Sequence, residues 1–234
     1  MEITFPEKQA DVAELIIDGN LVAYKLPPAV GTHSECYADS NYPDKIARAT
    51  GREIVAYAYG ALVYKKNEWA DQERVRFPTK NYLRVPKVLT IVPKTAEKKF
   101  GNLEGAMIVS EDLKGEGIEM KVEVPGDLAG WEESEGGIFK KDGKIVVSYD
   151  GWYKKEWDED NGAVIAIFDG KEYAISLART AKDSKRSKPF WKDNPSALRE
   201  PIKRVPVVFG VSGRLSLGCG SGNDGDGCAP RVLK

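Results

Sequence analysis

His33 and Cys36 stand three residues apart in "GTHSEC" and are the first pair able to do chemistry, as base and thiol nucleophile. A thiolate needs a base held against it, and a metal site needs further ligands converging on one point. His33 is the only histidine of the chain, so both residues are read as structural. Carboxylates, the residue type of a glycosidase pair, cluster in "WEESE" (131–135) and "EWDED" (156–160). In a chain with 36 acidic residues such clusters are read as solvated charge. "NDGDG" (223–227) has the oxygen donors of a calcium loop. Counting from Ser221, however, Val232 falls where an EF-hand needs a bidentate Glu. The glycine loops that cradle nucleotide phosphates are missing. No catalytic residue, metal or cofactor is therefore expected, and the chain is expected not to be an enzyme. A hydrolase whose site the sequence hides is the residual alternative.

Strands must carry most of whatever site exists. "LIIDGNLVAYKL" (15–26), "IFKKDGKIVVSY" (138–149) and "AVIAIFDGKEYAISL" (163–177) each place Asp-Gly between apolar runs, the pattern of a tight hairpin. "AMIVSEDLKGEGIEMKVEV" (106–124) reads as a further strand pair. "RVPKVLTIVPK" (84–94) reads as an edge strand between Pro86 and Pro93, and "PVVFGV" (206–211) as a short buried strand. Helices are expected over "YPDKIARATG" (42–51), stopped by Gly51, and over "KNEWADQERV" (66–75). "REIVAYAYGALVYKK" (52–66) fits helix and strand periods equally. The expected class is α+β, β-rich, with several hairpins and few short helices, in a single domain over 1–234.

Composition narrows the partners. The 234 residues are 41% hydrophobic and 30% charged with net charge −1, which fits an ordered protein and excludes non-specific nucleic-acid binding. Residues 110–135 hold nine acids against two lysines, and residues 179–204 hold nine bases against three acids. The basic stretch, with Phe190 and Trp191 among prolines, is read as a solvated loop anchored by that aromatic pair. No apolar run approaches the roughly 18 residues of a membrane span, and the start lacks a secretory signal. Synthesis in the cytoplasm without membrane insertion is expected, with association to a virion left open.

The end of the chain carries the functional signal. Lys, Glu, Trp, Met and Gln make up 54 of the 234 residues, yet residues 205–233 contain none of them. Chance leaves a stretch that long without them on the order of once in a thousand or less. A glycine-rich loop excludes long side chains in general, but Phe209, Arg214 and Arg231 are bulky and present. What the five absent types share is genetic: none has a codon ending in C or T.

That restricted alphabet resembles the variable region of proteins diversified by diversity-generating retroelements, in which adenine-directed mutagenesis of AAC or AAT codons yields such a set near the C-terminus. The family implied is that of variable proteins with a C-type lectin fold, of the archaeal viral type. The resemblance is confined to about residues 204–234 and implies a C-type-lectin-like domain. In its frame "VPVVFGV" is a strand, "APRVL" the closing strand, and the surface stretch between them varies. It also makes Cys219 and Cys228 products of codon change and not a required disulfide. The function implied is non-enzymatic display, through about 208–231, of residues that bind varied ligands, in a virus or mobile element. The ligand-binding set is Arg214, Ser216, Gly218, Cys219, Gly220, Ser221, Asn223, Asp224 and Asp226, and all of these but Cys219 are expected to be exposed. The partner implied is an unidentified protein or surface ligand, with a host cell as one source, and not nucleic acid. The alternative is a β-rich virion or other structural protein with a glycine-rich C-terminal arm.

Overall fold

The structure, a computed structural model, describes residues 2–4, 11–63, 75–77, 81–94, 100–111, 124–134, 137–147, 156–191, 193–210, 213–223 and 225–234. Its fourteen strands join in one hydrogen-bonded system, and four α-helices accompany them among the described residues. The class is α+β and β-rich, as the Asp-Gly hairpins imply.

The first hairpin joins β2 (Val12–Ile17) to β3 (Asn20–Gly31), and β1 (Ile3–Thr4) pairs with the outer side of β2. Asp18 and Gly19 both have positive φ, 50° and 79°, the left-handed pair that matches strand twist in a two-residue turn. Alternation along β2 buries Ala13, Leu15 and Ile17 completely. After α1 (His33–Cys36) comes a correction. The segment expected as a helix over 42–51 holds β4 (Ile46–Arg48), which pairs with the last strand. Its apolar run is too short for a helix and lies beside an unpaired strand edge. Gly51 begins a helix instead of ending one. Thr50 and Glu53 form half of a capping box, the Thr50 N–H donating to Glu53 Oε2 at 2.7 Å. That start decides the ambiguous segment as helix α2 (Gly51–Val63). The helix expected over 66–75 lies almost wholly outside the described residues.

The middle of the chain supplies β5 (Tyr82–Arg84), β6 (Val88–Ile91) and β7 (Met107–Ser110). The edge assignment of 84–94 is wrong: β6 is flanked by β7 and by β12 (Ile202–Phe209). Pro86 and Pro93 both fall outside β6, so neither removes a ladder donor, and Leu89 and Ile91 are fully buried. The second strand expected over 106–124 falls mainly on residues outside those described. β8 (Glu132–Ser134), β9 (Ile138–Lys141) and β10 (Lys144–Val147) extend the sheet, with a left-handed Asp142-Gly143 turn between β9 and β10.

The third Asp-Gly is not a hairpin. It separates helices α3 (Gly162–Phe168) and α4 (Lys171–Asp183). Asp169 (φ 66°) ends α3 in the left-handed conformation, and Gly170, extended, precedes α4. Asn161 caps α3 by accepting from the N–H groups of Ala163 and Val164 at 3.0 and 3.3 Å. Ala174, Leu177 and Ala181 repeat at helical spacing and are fully buried. Gly51 lets the start of α2 approach α3 closely, since a Cβ there would lie 2.2 Å from the Phe168 carbonyl oxygen. Lys87, 3% exposed, ties this helical turn to the sheet by donating to Glu111 and Asp169 at 2.6 Å each. No helix among the described residues is long and apolar enough to cross a membrane.

The chain ends in β11 (Phe190–Trp191), β12, β13 (Ser216–Gly220) and β14 (Gly227–Leu233). β14 runs antiparallel to β3 and parallel to β5, so the two ends of the sequence close on each other. One continuous apolar cluster contains Leu15, Tyr57, Leu83, Trp157, Phe168, Val208, Leu217 and Cys228.

Candidate functional site

Residues 205–233 are built into this sheet on both sides of a short loop. β12 and β13 pair antiparallel, with Val207 opposite Gly218 and Val208 opposite Leu217. Leu215, Leu217 and Val208 are fully buried, and Val207 and Val232 are 7% and 8% exposed. A C-terminal arm without fixed structure would leave these valines in water, so the arm of the alternative reading is not what is found.

The other face of the β12–β13 pair carries Val207 and the ring of Phe209. A Cβ on Gly218 would lie 3.0 Å from Phe209 Cε1 and 3.3 Å from Val207 Cγ2, so both side chains lie across that glycine. The half-buried ring of Tyr82 meets the half-buried ring of Phe209 edge-on, with centroids 5.8 Å apart.

The loop after β13 is held at two points. The His33 N–H donates to the Gly222 carbonyl at 2.8 Å, and the Tyr82 N–H to the Asp226 carbonyl at 2.9 Å. Gly222 has φ 85°, which lets the chain turn there. Beneath the loop lies Arg84, 1% exposed, its Nε donating to the Gly31 carbonyl at 3.2 Å. Gly227 packs against that guanidinium so closely that a Cβ would be 1.8 Å from Nε. Main-chain bonds and a buried cation therefore fix the loop while its side chains stay outside.

His33 and Cys36 sit behind this loop and have no catalytic geometry. Burial, with the Arg84 charge adding to it, pushes the His33 pKa down to about 3, so the ring is neutral. Neither ring nitrogen has a hydrogen-bond partner among the described residues, and the ring packs edge-on against Tyr37 at 4.9 Å. Burial pushes the Cys36 thiol up to about 11, and the thiol is spent on the carbonyls of Ala29, Gly31 and Gly227. A neutral base beside an un-ionised thiol makes no nucleophile at ordinary pH. The His33 shift implies acid sensitivity. Below the ordinary value of 6.5 the unfolded chain's histidine takes a proton that the folded one refuses until about 3, so stability falls with pH through that window. Between about pH 7 and about pH 5 the loss carried by His33 is about 2 kcal/mol. His33→Leu is expected to abolish this part of the loss. Urea denaturation of both proteins at the two pH values measures it, and equal pH slopes would refute the assignment.

The predicted ligand-binding residues divide by exposure. Arg214, Ser221, Asn223 and Asp226 are exposed, and Cys219 and Gly220 are half-buried. Ser216 and Gly218 are buried, which corrects the expectation that they lie exposed. The reason is that 216–220 is a strand between two neighbours and not a loop. Asp224 lies outside the described residues. All three cysteines are free thiols. Cys228 is fully buried in the core and Cys219 half-buried, so replacing Cys228 by Ser would bury a hydroxyl.

Sequence reasoning missed the border of the surface strip that runs from Arg214 along β13 to the loop after it. Phe190 and Trp191 pair in parallel with Leu217 and Gly218, and Ser187 bridges Arg214. The basic stretch is therefore no separate solvated loop, because part of it lines the strip. Among the described residues no three His, Cys, Asp or Glu side chains converge as metal ligands would.

No family model and no curated protein matches the chain. In fold it is similar to a solved structure described as "Accommodation of massive sequence variation in Nanoarchaeota by the C-type lectin fold". The two share 14% identity with a TM-score of 0.48, over 90% of this chain and 96% of that one. No residue role and no ligand is carried over from that protein.

Proposed function

We propose that this chain is a non-enzymatic display protein with a C-type-lectin-like fold, whose region of about 208–231 is diversified by a retroelement to bind varied ligands. Its setting is a virus or mobile element. The observation that carries this reading is the restricted alphabet of residues 205–233, a stretch that takes in a loop whose main chain is fixed and whose described side chains are exposed. Recognition and folding are thereby assigned to different atoms. Loops on a rigid β scaffold suit such exchange, because their side chains contribute little to the core. Ser221 and Asn223 offer adaptable hydrogen bonds, Arg214 a charged fork, and the Tyr82–Phe209 pair a fixed aromatic floor.

A library randomised at positions 214, 221, 223, 225 and 226, using codons ending in C or T, tests the reading. Most members are expected to fold with the wild-type melting temperature and to differ in the ligands they capture. Loss of folding in most members, or capture indifferent to these positions, would refute it. The retroelement part has its own test in the genome. A reverse-transcriptase gene nearby, with a near-repeat of the last hundred or so bases differing only at adenines, is expected.

A further inference from the structure

We propose that the strip binds a protein segment of fixed charge polarity, acidic where it meets Arg214 and basic or neutral where it meets Asp226. The proposal rests on the display reading above and adds the chemistry of the ligand.

The cationic end is built from two chain segments lying side by side. The Ser187 N–H donates to the Gly213 carbonyl at 3.0 Å, and the Leu215 N–H to the Ser187 carbonyl at 2.8 Å. Arg186 Nη1 donates to the Arg214 carbonyl at 3.2 Å. Lys185 and Arg214 are exposed, and the half-buried Lys188 holds its ammonium 5.1 Å from the centre of the Trp157 ring. Acids lie near this end too, half-buried Asp158 among them, next to Trp157, whose N–H donates to the Lys188 carbonyl at 3.2 Å. Asp183 is engaged with Arg179, and Glu156 bridges Pro189 through its backbone with its side chain exposed. Lys185, Arg186, Lys188 and Arg214 outweigh them.

The other end has the opposite sign. Asp226 is exposed there, and the bond from His33 to Gly222 brings α1, with exposed Glu35, against the same loop. Of the cations described in that region, Arg84 is buried beneath the loop and presents no charge at the surface, and Arg76 is half-buried. Between the two ends runs β13, five residues, which span about 16 Å at the rise of a strand.

This polarity selects the class of ligand. A nucleic-acid strand carries a phosphate roughly every 3.4 Å, so one lying along β13 would set several against Asp226 and Glu35. A peptide of about five extended residues covers the same length and can change sign along it. Guanidinium forks match carboxylates in paired hydrogen bonds, which favours Asp or Glu at the Arg186–Arg214 end. Complementary charge at two separated points also fixes the direction in which the segment lies.

The test pans a random peptide library, displayed on phage, against the full chain. Enriched peptides are expected to carry Asp or Glu toward one end and Lys, Arg or neutral residues toward the other. Their capture should fall about tenfold on raising the salt. The double variant Arg214→Glu, Asp226→Lys should enrich peptides whose polarity is weakened or reversed. Both positions are exposed, and circular dichroism checks that the variant folds. If it does not, Arg214→Gln decides, since it should weaken the preference for an acidic end that Lys185, Arg186 and Lys188 still support. Strip-dependent peptides without polarity, or unchanged polarity in the variants, overturn the proposal while leaving the display reading intact. Tighter capture of single-stranded DNA or heparin than of any peptide overturns it too. If no enriched peptide loses capture when Ser221 and Asn223 are replaced by Ala, the display reading fails and the proposal falls with it.

Discussion

Gly227→Ala is expected to destabilise the chain by roughly 3 kcal/mol, the upper part of the range for overpacking a core. Gly225→Ala, two residues earlier, is expected to change stability by no more than about 0.5 kcal/mol. The difference lies in what each new methyl would meet. At Gly225 no atom stands within 4 Å, whereas at Gly227 the Arg84 Nε would be 1.8 Å and Cζ 2.4 Å away. A guanidinium in open water would swing aside at little cost. This one is 1% exposed and bonded to the Gly31 carbonyl, so moving it strips a buried charge of its setting. Urea denaturation of the two variants beside wild type measures the contrast. A silent Gly227→Ala would mean that Arg84 is not held where it lies. Position 227 is thus closed to diversification although it adjoins the exposed loop, whereas at Gly218 the nearest atom, Phe209 Cε1, would be 3.0 Å away on a half-buried ring and need give by only a few tenths of an ångström.

How far the sequence could be read follows from which interactions are local. The Asp18-Gly19 and Asp142-Gly143 hairpins were legible because turn chemistry and flanking alternation agree within a dozen residues. Asp169-Gly170 carries the same dipeptide between helices, and there the Asn161 cap and the Ala-rich spacing outweigh it. Thr50-x-x-Glu53 is a helix start within reach of the sequence, and it makes Gly51 the first residue of a helix where glycine alone suggests a stop. β4 was not legible, since its three residues are extended only because β14, nearly two hundred residues on, offers an edge. The site divides in the same way. The absent residue types mark the stretch, because they are a property of composition. They do not reveal that Ser216 and Gly218 lie inside a strand, or that Ser187 runs beside Arg214, since both depend on long-range register.

Leu217→Ala should cost about 3 kcal/mol, within the range for emptying a buried leucine site. Within the same stretch, Ala at Arg214, Ser221, Asn223 or Asp226 should each change stability by about 0.5 kcal/mol or less. Leu217 is fully buried opposite Val208, in the cluster that also holds Trp157 and Phe168, and the strands paired on both sides of it leave the cavity little room to collapse. The four exposed residues owe their positions to main-chain bonds, those of Gly222 and Asp226 above all, which a change of side chain leaves in place. Phe209 falls between the two groups. Burial at only an intermediate level, against Tyr82 and Gly218, puts Phe209→Ala at roughly 2 kcal/mol, below the range for a fully buried aromatic. Phe209 is therefore a supporting residue with one side open to a ligand, and its loss should weaken capture as well as stability. Denaturation midpoints and capture assays on the same six single variants separate the roles. A strip in which Asn223→Ala or Ser221→Ala unfolds the protein while Leu217→Ala is silent would place folding and recognition in the same atoms, and a display surface cannot be built that way.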